Sequence, residues 1–125
     1  MPEQPTSPRV LCVDDNEDNC FMLYALLKRG GYEPMTCFAV GDALVLAARE
    51  EFDLFILDAR YPVGTGAELC RHIREMRPGA KVIFYSGAAL DEDQERGLEA
   101  GAYAYVKKPE VEGLLESVRR ALDAG

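Results

Sequence analysis

The chain has 125 residues, 48% hydrophobic and 29% charged with six Tyr and five Phe, the size and make-up of one folded domain with a single core rather than a disordered segment. A formal net charge of −8 opposes the counterion release that drives nucleic-acid affinity, so direct nucleic-acid contact is not expected. No run approaches the ~20 apolar residues of a membrane span, and residues 1–9, polar and carrying three prolines, lack the apolar centre of a signal peptide; no membrane contact is expected, and the cytoplasm is the default location.

Residues 1–8 read as a flexible N-terminal tail and residues 9–123 as the domain. Val10 to Val13 is an unbroken apolar run, the pattern of a strand covered on both faces, and it ends abruptly in Asp14-Asp15. Glu17 to Arg29 places Met22, Leu23, Leu26 and Leu27 at helical spacing and stops at Gly30-Gly31. The unit then repeats. A strand is predicted over Glu33 to Phe38, a helix over Asp42 to Glu50, and a strand over Asp53 to Leu57 that runs into Asp58. Pro62, Gly64 and Gly66 mark the following loop, and Ala67 to Met76 reads as a helix closed by Pro78-Gly79. Lys81 to Tyr85 is a further apolar strand, Asp91 to Glu99 a polar helix and Ala102 to Val106 a short last strand. In the final segment Val111, Leu114, Leu115, Val118 and Leu122 form one face of an amphipathic helix.

Five strands alternating with five helices through short connections predict an α/β fold: a doubly wound parallel sheet covered on both faces. Cys12, Cys20, Cys37 and Cys70 are scattered without a CxxC pair, so they read as small buried hydrophobes rather than a zinc or redox motif. The single histidine, His72, lies in a charged helical stretch and reads as a solvated residue.

In open α/β sheets ligands bind beyond the carboxyl ends of the strands. Here those ends carry Asp14-Asp15, Asp58, Ser86 and, after the last strand, Lys107-Lys108-Pro109. Three carboxylates brought together repel one another and call for a cation, and hard oxygen ligands suit Mg²⁺. An aspartate oxygen could then attack phosphorus to give an acyl phosphate, with Ser86 and a lysine facing the oxygens of the transferred group. The competing reading is that Asp14, Asp15 and Glu17 merely favour the N-terminus of the first helix.

Six segments carry a resemblance. VDDNEDN over 13–19, FILDARYP over 55–62, GAEL over 66–69, YSGA over 85–88, AGA over 100–102 and YVKKP over 105–109 match, in order and spacing, the response-regulator receiver domains, the family of the chemotaxis receivers. The likeness runs from Arg9 to Leu122. It implies a five-stranded flavodoxin-like sheet in the order 2-1-3-4-5 and a signalling module in a two-component phosphorelay, rather than an enzyme acting on a separate substrate. The histidine kinase or histidine phosphotransfer protein is the donor, and a downstream protein binds the fourth helix, fifth strand and fifth helix. By position, Asp58 is the phosphoacceptor, Asp15 the direct ligand of Mg²⁺ (or Mn²⁺) and Asp14 its partner; Asp58 and the backbone carbonyl of Arg60 complete the metal's protein ligands. Ser86 is the switch hydroxyl, Lys108 the lysine that contacts the phosphoryl group, Tyr105 the aromatic switch residue and Pro109 the residue after a cis peptide bond.

Some positions depart from the family's pattern. Arg60 stands two residues after the acceptor; its side chain is expected near Asp14, Asp15, Glu17 and the future phosphoryl group, where it would tune metal affinity and phosphoryl lifetime. Ala88 offers no polar side chain to orient an attacking water. Tyr61 replaces the usual Met before Pro62, and Tyr103-Ala104 an acidic pair. The alternatives are a receiver that works without phosphate, an aspartyl-nucleophile phosphohydrolase, and a flavin or nucleotide carrier. Arg60 stands where such a hydrolase has a second acid, and the acidic first loop disfavours a carrier.

Overall fold

The computed structural model describes residues 7–87 and 91–123; Ala88 lies outside them. The elements, in chain order, are β1 (Arg9–Val13), α1 (Glu17–Arg29), β2 (Glu33–Cys37), α2 (Val40–Arg49), β3 (Leu54–Leu57), α3 (Gly66–Met76), β4 (Val82–Ser86), α4 (Asp91–Glu99), β5 (Ala104–Lys107) and α5 (Val111–Asp123). The five strands form one sheet in the order β2-β1-β3-β4-β5, every pair parallel. This is the flavodoxin-like arrangement expected from the sequence.

Side chains alternate between the two faces because successive residues of a strand point in opposite directions. Leu11, Val13, Phe55, Leu57, Val82 and Phe84 face α2 and α3, where Ala43, Ala47, Leu69 and Ile73 meet them. Val10, Cys12, Leu54, Ile56, Ile83 and Tyr85 face α1 and α5, against Leu23, Leu27, Leu114 and Val118. Both faces are closed, which is why the strands read as continuous apolar runs. Each fully buried Leu, Ile or Phe stabilises the fold by about 1.5–3 kcal/mol.

Local signals set the helix ends. Asn16 caps α1, its side-chain oxygen accepting from the Asn19 N–H at 2.9 Å, and Glu17 and Asp18 place negative charge in the first turn. Thr65 caps α3 by accepting from the Glu68 N–H at 3.2 Å and donates to that residue's carboxylate at 3.0 Å. Two strands end later than their apolar pattern suggests: Ser86 and Lys107 are partners in the last rung between β4 and β5. Hydrogen-bonding in a ladder is blind to side-chain polarity, so a polar residue at a strand end escapes a search by hydrophobicity.

All four cysteines are buried and unpaired. Burial pushes the thiols of Cys20 and Cys70 up to about 11 and that of Cys37 up to about 12. His72 is exposed on α3.

Candidate functional site

The carboxyl ends of β1, β3, β4 and β5 converge. Carboxylate oxygens of Asp14, Asp15 and Asp58 all lie within 4.8 Å of one another. Asp14 is buried with 3% exposure, Asp15 is exposed, and Asp58 sits between these extremes. Asp14 is pinned by its neighbours: one carboxylate oxygen accepts from the Asn16 N–H at 2.9 Å and the other from the Lys108 ammonium at 2.7 Å.

The Lys108 ammonium bridges two strand ends, donating also to Asp58 Oδ2 at 3.0 Å. Burial by itself lowers the affinity of this amine for its proton, but the hydrogen bonds to Asp14 and Asp58 outweigh it, and the pKa is raised above the ordinary lysine value. The Lys108–Pro109 peptide bond is cis, and Lys108 N–H donates to the Ser86 carbonyl at 2.9 Å, which fixes the start of the lysine side chain beside β4.

On the other side of Asp58, Oδ1 accepts from the Ser86 hydroxyl at 2.5 Å and from the Ala59 N–H at 2.7 Å. Ser86 is 1% exposed. Tyr105 is half-buried, its ring stacked on Phe84 with centroids 5.7 Å apart, and the Ser86 side chain is among the polar groups that act on its phenol. Burial, the largest influence, raises the pKa of the Tyr105 phenol.

The loop after β3 is held by unusual contacts. Tyr61 is 9% exposed; its hydroxyl accepts from the Asp58 N–H at 2.8 Å and donates to the Val13 carbonyl at 2.9 Å. Arg60 and Thr65 form an isolated antiparallel bridge, and Gly66 N–H donates to the Ala59 carbonyl at 2.8 Å. A Cβ on Gly66 would stand 1.9 Å from the Asp58 carbonyl oxygen and 2.5 Å from the Phe84 ring, so α3 can begin this close to β3 only with glycine there.

The Arg60 side chain departs from expectation. Its guanidinium is paired with Asp93 of α4 at 3.0 Å, not with Asp14, Asp15 or Glu17. Lys108 already occupies the space between Asp14 and Asp58, and Asp93, 8% exposed and without another cation against it among the described residues, is the acid that demands a partner. Sequence reasoning missed both Asp93 and the Tyr61 hydroxyl. Asp93 sits in an acidic run, Asp91 to Asp93, in which nothing marks it out. Tyr61 did carry a signal, a hydroxyl where an apolar side chain is usual.

The donor set fits a hard divalent cation. Three carboxylates facing one ammonium leave two uncompensated negative charges, which is the charge such an ion neutralises, and all ligand atoms are oxygens.

The family model of the response regulator receiver domain matches residues 10–119. The transcriptional regulatory protein PrrA of Mycobacterium tuberculosis is 37% identical over 115 residues, covering 92% of this chain and 48% of that protein; the chain thus spans about half the length of this relative. Among solved structures, a CheY-like response regulator receiver domain protein from Methanospirillum hungatei superposes with a TM-score of 0.90 at 34% identity, covering 94% of this chain and 95% of that one. A response regulator protein from Burkholderia pseudomallei, described with a phosphorylated aspartic acid, calcium ion and citrate, gives 0.84 at 27% identity, covering 94% and 71%. Sheet order, site geometry and sequence likeness converge, and this chain belongs to the response regulator receiver domain family, the signalling modules of two-component systems.

Proposed function

We propose that this receiver is a cytoplasmic phosphoacceptor: Asp58 takes a phosphoryl group from a histidine kinase or histidine phosphotransfer protein in a Mg²⁺-dependent step that the domain itself assists, and the resulting acyl phosphate changes its protein-binding surface. The observation that carries this reading is the asymmetric environment of Asp58. Oδ1 accepts two hydrogen bonds, from Ser86 and Ala59, whereas Oδ2 accepts one, from Lys108. Oδ2 therefore keeps a lone pair available to form a bond to phosphorus as the donor's bond to phosphorus breaks.

Asp14, Asp15, Asp58 and the backbone carbonyl of Arg60 would hold Mg²⁺ or Mn²⁺. When bound, the ion supplies positive charge to phosphoryl oxygens that would otherwise be repelled by the acids. Lys108 and Ser86 then turn from the carboxylate to the oxygens of the transferred group as charged and neutral hydrogen-bond donors. Ser86 and Tyr105 are the switch pair. Phosphorylation gives Ser86 a stronger acceptor, so it favours the arrangement in which Ser86 has moved toward the phosphoryl group and Tyr105 has turned into the space it leaves, a shift in an existing equilibrium. Leu98 on α4 and Tyr103 just before β5 are each 45% exposed and supply apolar contact area for a protein target on the α4–β5–α5 face. The net charge of −8 argues against that target being nucleic acid.

The test is labelling with a small acyl phosphate, read by intact mass and peptide mapping. One Mg²⁺-dependent phosphoryl group on Asp58 is expected. Labelling that persists in Asp58→Asn, or that a chelator leaves unchanged, eliminates the assignment. In Ser86→Ala, phosphorylation should no longer alter partner binding or the Tyr105 resonances.

A further inference from the structure

We propose that Tyr61 is a positioning residue of the phosphoacceptor site: its hydroxyl, inserted between β1 and β3, sets the spacing between the β1 acids and Asp58, and so the metal affinity of the site. The proposal rests on the phosphoacceptor reading above for its purpose, though not for its geometry.

The geometry follows from the strand register. Val10 to Val13 of β1 pair with Leu54 to Leu57 of β3. In a parallel ladder alternate residues of a strand bond to opposite neighbours. The Phe55 N–H donates to the Lys81 carbonyl, on the β4 side, so Asp58, an odd number of residues on, presents its N–H to β1. Its ladder acceptor there would be the Val13 carbonyl. The bond is not made directly. The Tyr61 hydroxyl stands in the rung, accepting from Asp58 N–H at 2.8 Å and donating to Val13 C=O at 2.9 Å. An oxygen inserted in a rung holds the two backbone atoms roughly 4–5 Å apart instead of the ~2.9 Å of a direct bond.

This opening lies one residue below the chemistry. Val13 directly precedes Asp14, and the separated N–H is that of Asp58 itself, so the width of the rung is passed to these two carboxylates without an intervening residue. The neighbouring rung on the far side of β1 is intact, with the Asp14 N–H donating to the Cys37 carbonyl at 3.1 Å, so β1 is anchored to β2 and the opening is confined to the β1–β3 gap. The phenol is itself fixed. Its side chain is buried in the core that lies against α2 and α3, and burial raises its pKa, so it remains a donor throughout the physiological range. A Met at this position fills volume but can neither accept nor donate, and it would leave the rung to close or to take up water.

Tyr61→Phe deletes the bridge and keeps the ring. In this variant amide exchange at Asp58 should accelerate at least about tenfold, and the dissociation constant for Mg²⁺, followed by amide titration without any phosphoryl donor, should change at least about threefold. Tyr61→Met should shift both quantities in the same direction. Leu69→Ala, which removes core volume without touching the rung, should lower the melting temperature more than Tyr61→Phe and leave Mg²⁺ affinity at the wild-type value. The proposal is overturned if Tyr61→Phe binds Mg²⁺ as wild type does, or if Leu69→Ala changes Mg²⁺ affinity as much as Tyr61→Phe. Failure of the phosphoacceptor reading would appear separately, as absence of label on Asp58 in the wild-type protein.

Discussion

The guanidinium of Arg60 donates to both carboxylate oxygens of Asp93, at 3.0 and 3.2 Å, and so fastens the loop that follows the acceptor to α4. The pair is lopsided. Arg60 is largely exposed and Asp93 is buried, so deleting either partner has a different consequence. Arg60→Ala leaves a buried carboxylate without its cation and should destabilise the protein by about 1 kcal/mol, whereas Arg60→Ala/Asp93→Ala together should cost less than the two single variants added. Urea denaturation of the four proteins measures this. Because the guanidinium is committed to α4, Mg²⁺ affinity should stay within about twofold of wild type in Arg60→Ala; a larger change would restore a direct role at the acids.

The close approach of α3 to β3 makes Gly66 the least replaceable position in the loop. Gly66→Ala drives a methyl group into the Asp58 carbonyl and the Phe84 ring, neither of which can move without displacing the acceptor or the core. A loss of about 3 kcal/mol or more is expected. Mg²⁺-dependent labelling should fall with it, even at temperatures where circular dichroism shows the variant folded.

Most of this architecture was legible in the chain. The apolar runs marked β1, β3 and β4, and the acid or hydroxyl at the end of each strand marked the site, because burial on both faces and the geometry of strand ends leave a local imprint. What escaped was the set of contacts made between elements by ordinary residue types. Asp93 is distinguished from Asp91 and Glu92 only by the helix face it occupies once α4 is docked. The Tyr61 bridge depends on the β1–β3 register, which no local pattern encodes, and the Arg60 side chain was misplaced because the competition from Lys108 for Asp14 and Asp58 involves residues far apart in the chain.

Lys108 offers a test of charge balance. Replacing it by Met leaves Asp14 and Asp58 facing Asp15 with no compensating ammonium. Mg²⁺ should then bind more tightly, by about threefold or more, while labelling from an acyl phosphate slows because the phosphoryl oxygens lose a charged donor. Calorimetric titration and the labelling rate give the two numbers, and weaker Mg²⁺ binding in Lys108→Met would contradict the charge count.

Alkaline pH should destabilise the fold early. Cys20, Cys37 and Cys70 keep their protons in the folded chain up to about 11, 12 and 11, against an ordinary thiol value of 9.0. The contribution of each is whole below the ordinary value and is lost as pH rises through this interval, since the unfolded chain releases protons first; the raised pKa of Lys108 acts in the same direction at higher pH. The melting temperature should fall by roughly 5 °C or more between about pH 8 and about pH 10. At the lower pH a thiol reagent should modify the native protein only as fast as it unfolds, and rapid stoichiometric modification would contradict the sealed placement of the thiols.

The unequal treatment of the two Asp58 oxygens bears on how an unphosphorylatable variant is to be read. Both oxygens face donors, Ser86 and Ala59 on one side and Lys108 on the other, so the position accepts only a group that is an acceptor at both ends. An asparagine is an acceptor at one end and a donor at the other. Whichever way its amide turns, an NH₂ group confronts either the ammonium of Lys108 or the N–H of Ala59, and the link from β5 through Lys108 to Asp14 is disturbed along with the loss of a charge. Asp58→Asn is therefore a rewired resting state and not a silent one, and partner binding measured with it mixes the absence of phosphate with the absence of that wiring.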